Sequence, residues 1–246
     1  MCAGRALKGQ RTVLGPTRDE TALTMINLAD TIRLEGRLDE ARKLAEEADA
    51  LDRRTLGPEH PQTLFGLTIL SSVARDQGSL DEATKGYEKA MAVLRRTLSA
   101  KTFEAQRCMA DYAWMLAATA DPGRRDPHRA IELANKLIQN SPKVRDVWTT
   151  LGVAHYRARA WNDAIAALEQ SEAAVPGLLT AANGFFLAMA YCRLGEKEKG
   201  RKWYSKALQS AETASQPTKR ELELFRLEAS HLLGISDQKL PSRGED

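Results

Sequence analysis

Cysteine is scarce: Cys2, Cys108 and Cys192 are far apart and form no C-x-x-C pair. That excludes a disulfide framework and a zinc ribbon, and it predicts reduced, mostly buried thiols in a cytoplasmic protein. Long apolar runs are missing too. None approaches the roughly 18 residues a membrane span needs, and Met1-Cys2-Ala3-Gly4-Arg5 lacks the apolar core of a secretion signal. The net charge of +3 on 246 residues gives no case for nucleic acid. Aromatics are few at 6%. No phosphate-binding glycine loop, dinucleotide fingerprint, H-E-x-x-H or nucleophile elbow occurs, so the expectation is no enzyme, no cofactor and no metal. What remains is 43% hydrophobic and 28% charged, rich in Ala, Leu, Glu, Lys and Arg, the mix of a folded helical protein.

The chain repeats itself. Gly36 and Leu38-Asp39-Glu40-Ala41 recur 42 residues later as Gly78 and Leu80-Asp81-Glu82-Ala83, with Leu28 matching Leu70 and Leu56 matching Leu98. Apolar residues fall at helical spacing at Leu23, Ile26, Leu28 and Ile32, then at Leu44, Ala45, Ala48 and Leu51. Gly36 and Gly78 stand where a helix ends in a left-handed residue. Asp39 and Asp81 stand near the start of the next helix, where its dipole favours a carboxylate. A third unit, 102–142, has Tyr112-Ala113 and Leu116 in its first helix and Ala130, Ala134 and Leu137 in its second. The inserted loop between them ends on Asp126 as N-cap with Pro127 at the first helical position. A fourth unit has Trp148, Leu151-Gly152, Ala164 and Pro176. A fifth follows at an offset of 36, with Leu187-Ala188, Gly200, Tyr204 and Ala207. Thr218 to Leu233 places Leu222, Phe225, Ala229, Leu232 and Leu233 on one face, with Lys219, Glu223 and Arg226 on a face that can meet water.

The ladder Trp148, Leu151-Gly152, Ala164, Pro176 resembles a tetratricopeptide (TPR) helical hairpin, with His155 at the usual Tyr position and Tyr156 beside it. The 42-residue unit ending in Leu56-Gly57-Pro58-Glu59-His60-Pro61 resembles the longer variant found in kinesin light chains. The resemblance implies an all-α fold: a right-handed superhelical solenoid of TPR hairpins with a C-terminal capping helix. It divides the chain into a partial repeat at 1–16, two 42-residue units at 17–100, three further units plus the capping helix at 101–234, and a disordered tail at 235–246. Residues 3–14 align with the second helix of a preceding unit whose first helix is not encoded, which predicts fraying, self-association through the N-terminal end or a missing upstream segment.

The candidate chemistry is bland. His60 belongs to a turn that the repeat requires, and His128 and His231 sit on exposed helix faces without ligand partners. Glu46-Glu47 do not face each other on a helix, and Cys108 and Cys192 lie on apolar faces. The candidate site is instead a peptide-binding groove along the first helices, expected from Asn27, Arg33, Arg75, Arg107, Trp114, Tyr156, Arg157, Phe186 and Arg193. Asp30, Ile69, Ser72, Asp111, Thr150, Val153 and Met189 are expected to face it as well. Arginine with aromatic surface suits a protein or peptide partner carrying acidic and apolar side chains. Chaperone-type TPR clamps need Asn where this chain has Asp30, so those roles are not carried over. Residues 112–210 resemble a TPR block common in bacterial serine/threonine kinases. The first reading is therefore an interaction scaffold, and the alternative is a regulatory or localising appendage of a kinase domain absent from this chain.

Overall fold

The structure is a computed structural model and describes residues 19–97, 101–140, 145–174, 180–212 and 216–235. The expected partial repeat at 1–16, Pro176 and the tail from 236 onward lie outside them. Every regular element among the described residues is a helix. They are α1 (Asp19–Leu34), α2 (Leu38–Thr55), α3 (Pro61–Asp76), α4 (Leu80–Thr97), α5 (Phe103–Ala118), α6 (Pro127–Asn140), α7 (Arg145–Arg157), α8 (Trp161–Ala174), α9 (Ala181–Arg193), α10 (Lys197–Ala211) and α11 (Gln216–Leu233). The offsets survive folding. α1, α3 and α5 start 42 residues apart, as do α2 and α4, whereas α7 and α9, and α8 and α10, start 36 apart. In the third unit a 3-10 turn, Pro122–Arg124, stands where the offset would start the second helix, and α6 begins at Pro127. Asp126 caps it through the Arg129 N–H at 2.9 Å. Two compact units divide between Tyr112 and Ala113.

In the first unit α1 packs on α2 and α3, and α3 on α4. The second helix brings a stripe of small residues, Ala41, Ala45 and Ala48, all fully buried. Alanine lets helices approach closely but buries little area, so Met25, Ile26, Phe65 and Ile69 supply most of the apolar burial in the cluster they form with Ala45 and Ala48, while Ala41 packs with Ile32 and Val73. His60 is a structural residue as expected: it is the N-cap of α3, its Nδ1 accepting from the Gln62 N–H, with Pro61 in the first turn. The Thr63 hydroxyl closes the same turn by donating to the Gly57 carbonyl at 2.8 Å.

In the second unit α7 pairs with α8 and α9 with α10, and α9 also meets α7, α8 and α11. Every residue from Ala181 to Ala190 is buried, the mark of a helix enclosed on all sides. Gly152 explains the closeness of α7 to α8: a Cβ there would lie 2.5 Å from the Leu168 Cγ and 3.2 Å from the Ala164 carbonyl oxygen. Leu222, Phe225, Ala229 and Leu233 of α11 are buried, matching the expected capping face. Arg226 departs from expectation. It is only 1% exposed, because α11 is enclosed on more than its apolar face, and its guanidinium is held by Glu223 at 2.8 and 2.9 Å.

Hairpin turns end on a left-handed residue, Gly36, Gly78 and Gly195, with φ near +84°. Each is followed by an N–H donating back five residues, as from Arg37 to the Ile32 carbonyl. The fourth unit places Arg159 at this position with φ +63°, where a Cβ is strained. Arg159→Gly is expected to stabilise the chain by about 0.5–1 kcal/mol, read as a higher midpoint in urea unfolding. An unchanged or lower midpoint would show that the strain is relieved elsewhere.

Candidate functional site

The predicted site residues separate into two sets with different fates. In the first unit Arg33, Arg75 and Arg107 meet three aspartates. Arg33 is buried and pairs with Asp30 at 2.8 Å and with Asp76 at 2.6 Å. Arg107 pairs with Asp30 at 2.9 Å and with Asp111 at 2.7 Å, and Arg75 pairs with Asp76 at 2.7 Å. Asp111 also accepts from the buried Ser72 hydroxyl, which is bonded to Tyr87. Three cations thus meet three anions, and the six side chains carry no net charge. Burial works against ionisation of Asp30, but Arg33 and Arg107 outweigh it and hold its carboxyl below the usual range. Burial opposes the charge on Arg107 too, and Asp111 and Asp30 reverse the effect and raise it. Asn27 is exposed, and its backbone carbonyl accepts from Thr31. Ile69 and Ser72, expected in the groove, are fully buried.

In the second unit two of the predicted aromatics, Tyr156 and Phe186, are interior rather than surface, while Trp114 is half-buried. Tyr156 is 4% exposed and Phe186 is fully buried, as are Val153 and Met189. They form the middle of a train of rings. Trp161 meets Tyr156 at 5.1 Å between centroids, Tyr156 meets Phe186 at 5.4 Å, Phe186 meets Phe225 at 4.9 Å, and Phe225 meets Trp114 at 6.2 Å. What covers them is α11, whose Phe225 is the fourth ring. The Arg157 guanidinium lies 5.0 Å from the Phe186 centroid and 5.5 Å from that of Tyr156, a cation over two π faces. Its Nη1 and Nη2 donate to the two carboxylate oxygens of Glu228, at 2.5 and 2.8 Å. Trp114 Nε1 donates to Glu221 at 3.0 Å. Arg193 is exposed and lies over Trp161 at 5.9 Å. Burial raises the Tyr156 hydroxyl, with the hydrogen-bonding Arg193 in opposition.

Glu221, Phe225 and Glu228, at i, i+4 and i+7, thus share the face of α11 that rests on Trp114, Phe186 and Arg157. The capping-helix reading of the sequence missed this crossing. The available signal was that spacing itself, an acid–aromatic–acid face matching an arginine–aromatic face.

Cys108 is buried, and burial pushes its thiol up to about 12, far from a nucleophile's range. His128 and His231 are exposed, and burial lowers the half-buried His155 against the opposing pull of Asp163. Among the described residues no group of three or more His, Cys, Asp or Glu could hold a metal, and no helix is long and apolar enough to cross a membrane.

The acid limb of stability follows from Asp30. A carboxyl held below its unfolded value, near 3.9, contributes stability that is complete above that pH and disappears as pH falls through the folded value. Asp30→Asn is expected to cost about 2 kcal/mol at pH 7 and to flatten the loss of stability below about pH 4, measured by urea unfolding across that range. Equal acid sensitivity in the variant would assign the limb to other carboxylates.

Comparison with known proteins bears on the fold. The tetratricopeptide repeat family model matches residues 20–96. No curated protein matches the chain. Among solved structures, a Podosopora anserina protein of nearly identical TPR-like repeats, described as a kinesin light chain, is 20% identical. It aligns over 81% of this chain and 99% of its own, with a TM-score of 0.62. BtubC from P. vanneervenii is 16% identical over 100% of this chain and 94% of its own, at 0.65. A TPR protein with an unusual peptide-binding site is 16% identical over 94% and 98%, at 0.51. The hairpins described above therefore have the fold of tetratricopeptide repeats, with the family's sequence pattern matched in residues 20–96.

Proposed function

We propose that the chain is a protein–protein interaction module whose seat for a partner segment is the first-helix face of the second unit. Repeat arrays of stacked hairpins use such faces for binding. One observation supports the reading above the others: Arg157, on two aromatic rings, grips a carboxylate of a helix that pairs into no hairpin among the described residues. A guanidinium largely shielded from water prefers a bidentate acid, and its ring neighbours prefer an apolar anchor beside it. A partner segment with acidic and aromatic or aliphatic side chains fits that chemistry. One solved protein of similar fold is described as having a peptide-binding site, which agrees in kind. On the resemblance of residues 112–210 to kinase-associated repeats, the same seat would localise a catalytic domain. The free Cys108 and Cys192 suit a cytoplasmic setting.

In the first unit the arginines are already matched by Asp30, Asp76 and Asp111, so Asn27, Arg33, Arg75 and Arg107 offer no anchor for an acid. Peptides selected from a display library on the intact chain are expected to be acidic and aromatic. Arg157→Ala should weaken them by about 2 kcal/mol, roughly thirtyfold, with helicity retained in far-UV circular dichroism. Arg75→Ala should weaken them less than about threefold. Calorimetry giving equal affinity for Arg157→Ala would remove this face as the seat.

A further inference from the structure

We propose that α11 is an internal ligand of this seat, and that the partner is a separate amphipathic helix presenting a carboxylate, an aromatic ring and a second carboxylate at i, i+4 and i+7. The proposal rests on the reading of that face as an interaction seat, and it specifies both the occupant and its regulation.

A helix serving only as a cap needs to cover the last hairpin. The C-terminal end of α11 does this. A Cβ on Gly200 of α10 would lie 3.0 Å from Leu233, and the Cys192 thiol of α9 donates to the Leu232 carbonyl at 3.5 Å. The stretch from Glu221 to Glu228 goes further, reaching Trp114 on α5 and Arg157 on α7, first helices of earlier repeats. Three anchors at helical spacing on one face form the pattern by which an amphipathic helix binds a groove. The chain thus carries a seat and a ligand for it.

The fit of that ligand is incomplete. Arg157 is nine-tenths buried, yet its Nε has no hydrogen-bond partner. A buried N–H without an acceptor is a standing cost, and a carboxylate placed to serve Nε together with one Nη removes it. Glu228 is itself 37% exposed at the side chain, and Leu224 and Leu227 of the same stretch face outward at 45% and 38%. A better-shaped helix from outside can therefore outcompete the resident one. Its chemistry is set by what the departing Glu228 leaves behind. Arg125 lies near enough that burial and then the like charge of Arg157 lower its basicity, with Glu228 in opposition. Loss of Glu228 exposes two neighbouring cations, which attract an acidic helix and repel a basic one. The resident helix meanwhile reduces the apparent affinity of any competitor by the fraction of time the seat is closed.

The test uses a fluorescein-labelled synthetic peptide of residues 216–235 added to the full chain. Glu228→Lys in the chain reverses the charge facing Arg157 and Arg125, loosening the resident helix without altering the seat. The labelled peptide is expected to bind this variant at least about tenfold more tightly than the intact chain. That gain should vanish when the peptide carries Phe225→Ala, or when the chain also carries Arg157→Glu. Equal affinity for intact and Glu228→Lys chains, or a folded variant that binds no peptide, overturns the internal-ligand proposal. The broader reading then stands or falls on whether library-selected peptides depend on Arg157. Light scattering that shows dimers of the intact chain dissolved by the peptide would name a second copy as occupant and overturn the separate partner. Should Glu228→Lys fail to fold, hydrogen exchange on the intact chain decides. Amides of 221–228 should open more readily than those of α9 and lose further protection when peptide is added, while those of α7 and α9 stay protected. Opening of 221–228 only with global unfolding makes α11 an integral cap and overturns the proposal.

Discussion

A helical hairpin whose second helix is lined with alanine cannot bury its first helix alone, and the rest of the structure follows from that. Ala41, Ala45 and Ala48 give α1 a close neighbour but little apolar area, so Met25 and Ile26 must also be covered by Phe65 and Ile69 of the next hairpin. In the second unit α9 is buried along ten consecutive residues, including Phe185, Phe186 and Met189. No further hairpin follows among the described residues, so α11 has to supply the missing wall.

That requirement explains why α11 combines two roles. Burying Phe186 needs a large apolar side chain, and Phe225 supplies it at 4.9 Å. Once Phe225 is seated, the helix period brings Glu221 and Glu228 one turn to either side, over Trp114 and Arg157. The stabilising contact and the recognition-like contact are thus carried by adjacent turns of one helix. The apolar term holds α11 wherever the rings are covered. The charged term fixes which turns of α11 lie over Trp114 and Arg157.

Much of the architecture was legible in the chain. Identical residues in phase at 42, and matching core residues at 36, place helix starts that the structure reproduces, and Gly36 and Gly78 sit at left-handed turns as a glycine before a new helix should. Periodicity also told which face of α11 is apolar. It could not tell what that face meets, because spacing along one helix carries no information about a partner 71 residues away. For the same reason Tyr156 and Phe186 read as surface: on the first helices they stand where a groove would be, but Phe225 of α11 lies against Phe186, and Trp161, Phe186 and Arg157 surround Tyr156. Arg226 read as solvated because a charged residue beside an apolar stripe usually is. The pairing with Glu223 three residues earlier is what allows it to be buried.

The arginines of the two units differ in a way the sequence does show once it is asked for. Arg33 has Asp30 three residues before it and Arg107 has Asp111 four residues after it, positions that share a helix face, so each finds an anion on its own helix. Arg157 has Val153 and Ala154 before it and Ala160 and Trp161 after it. No local acid can neutralise it, yet its side chain is buried to all but 6%. A buried guanidinium cannot be left without a counterion, because its desolvation would outweigh the packing gained. It therefore has to take a carboxylate from a distant segment, and whichever segment brings one becomes a ligand of this face. Glu228 answers that demand from within the chain, through an ion pair that links α7 to a helix outside its own hairpin.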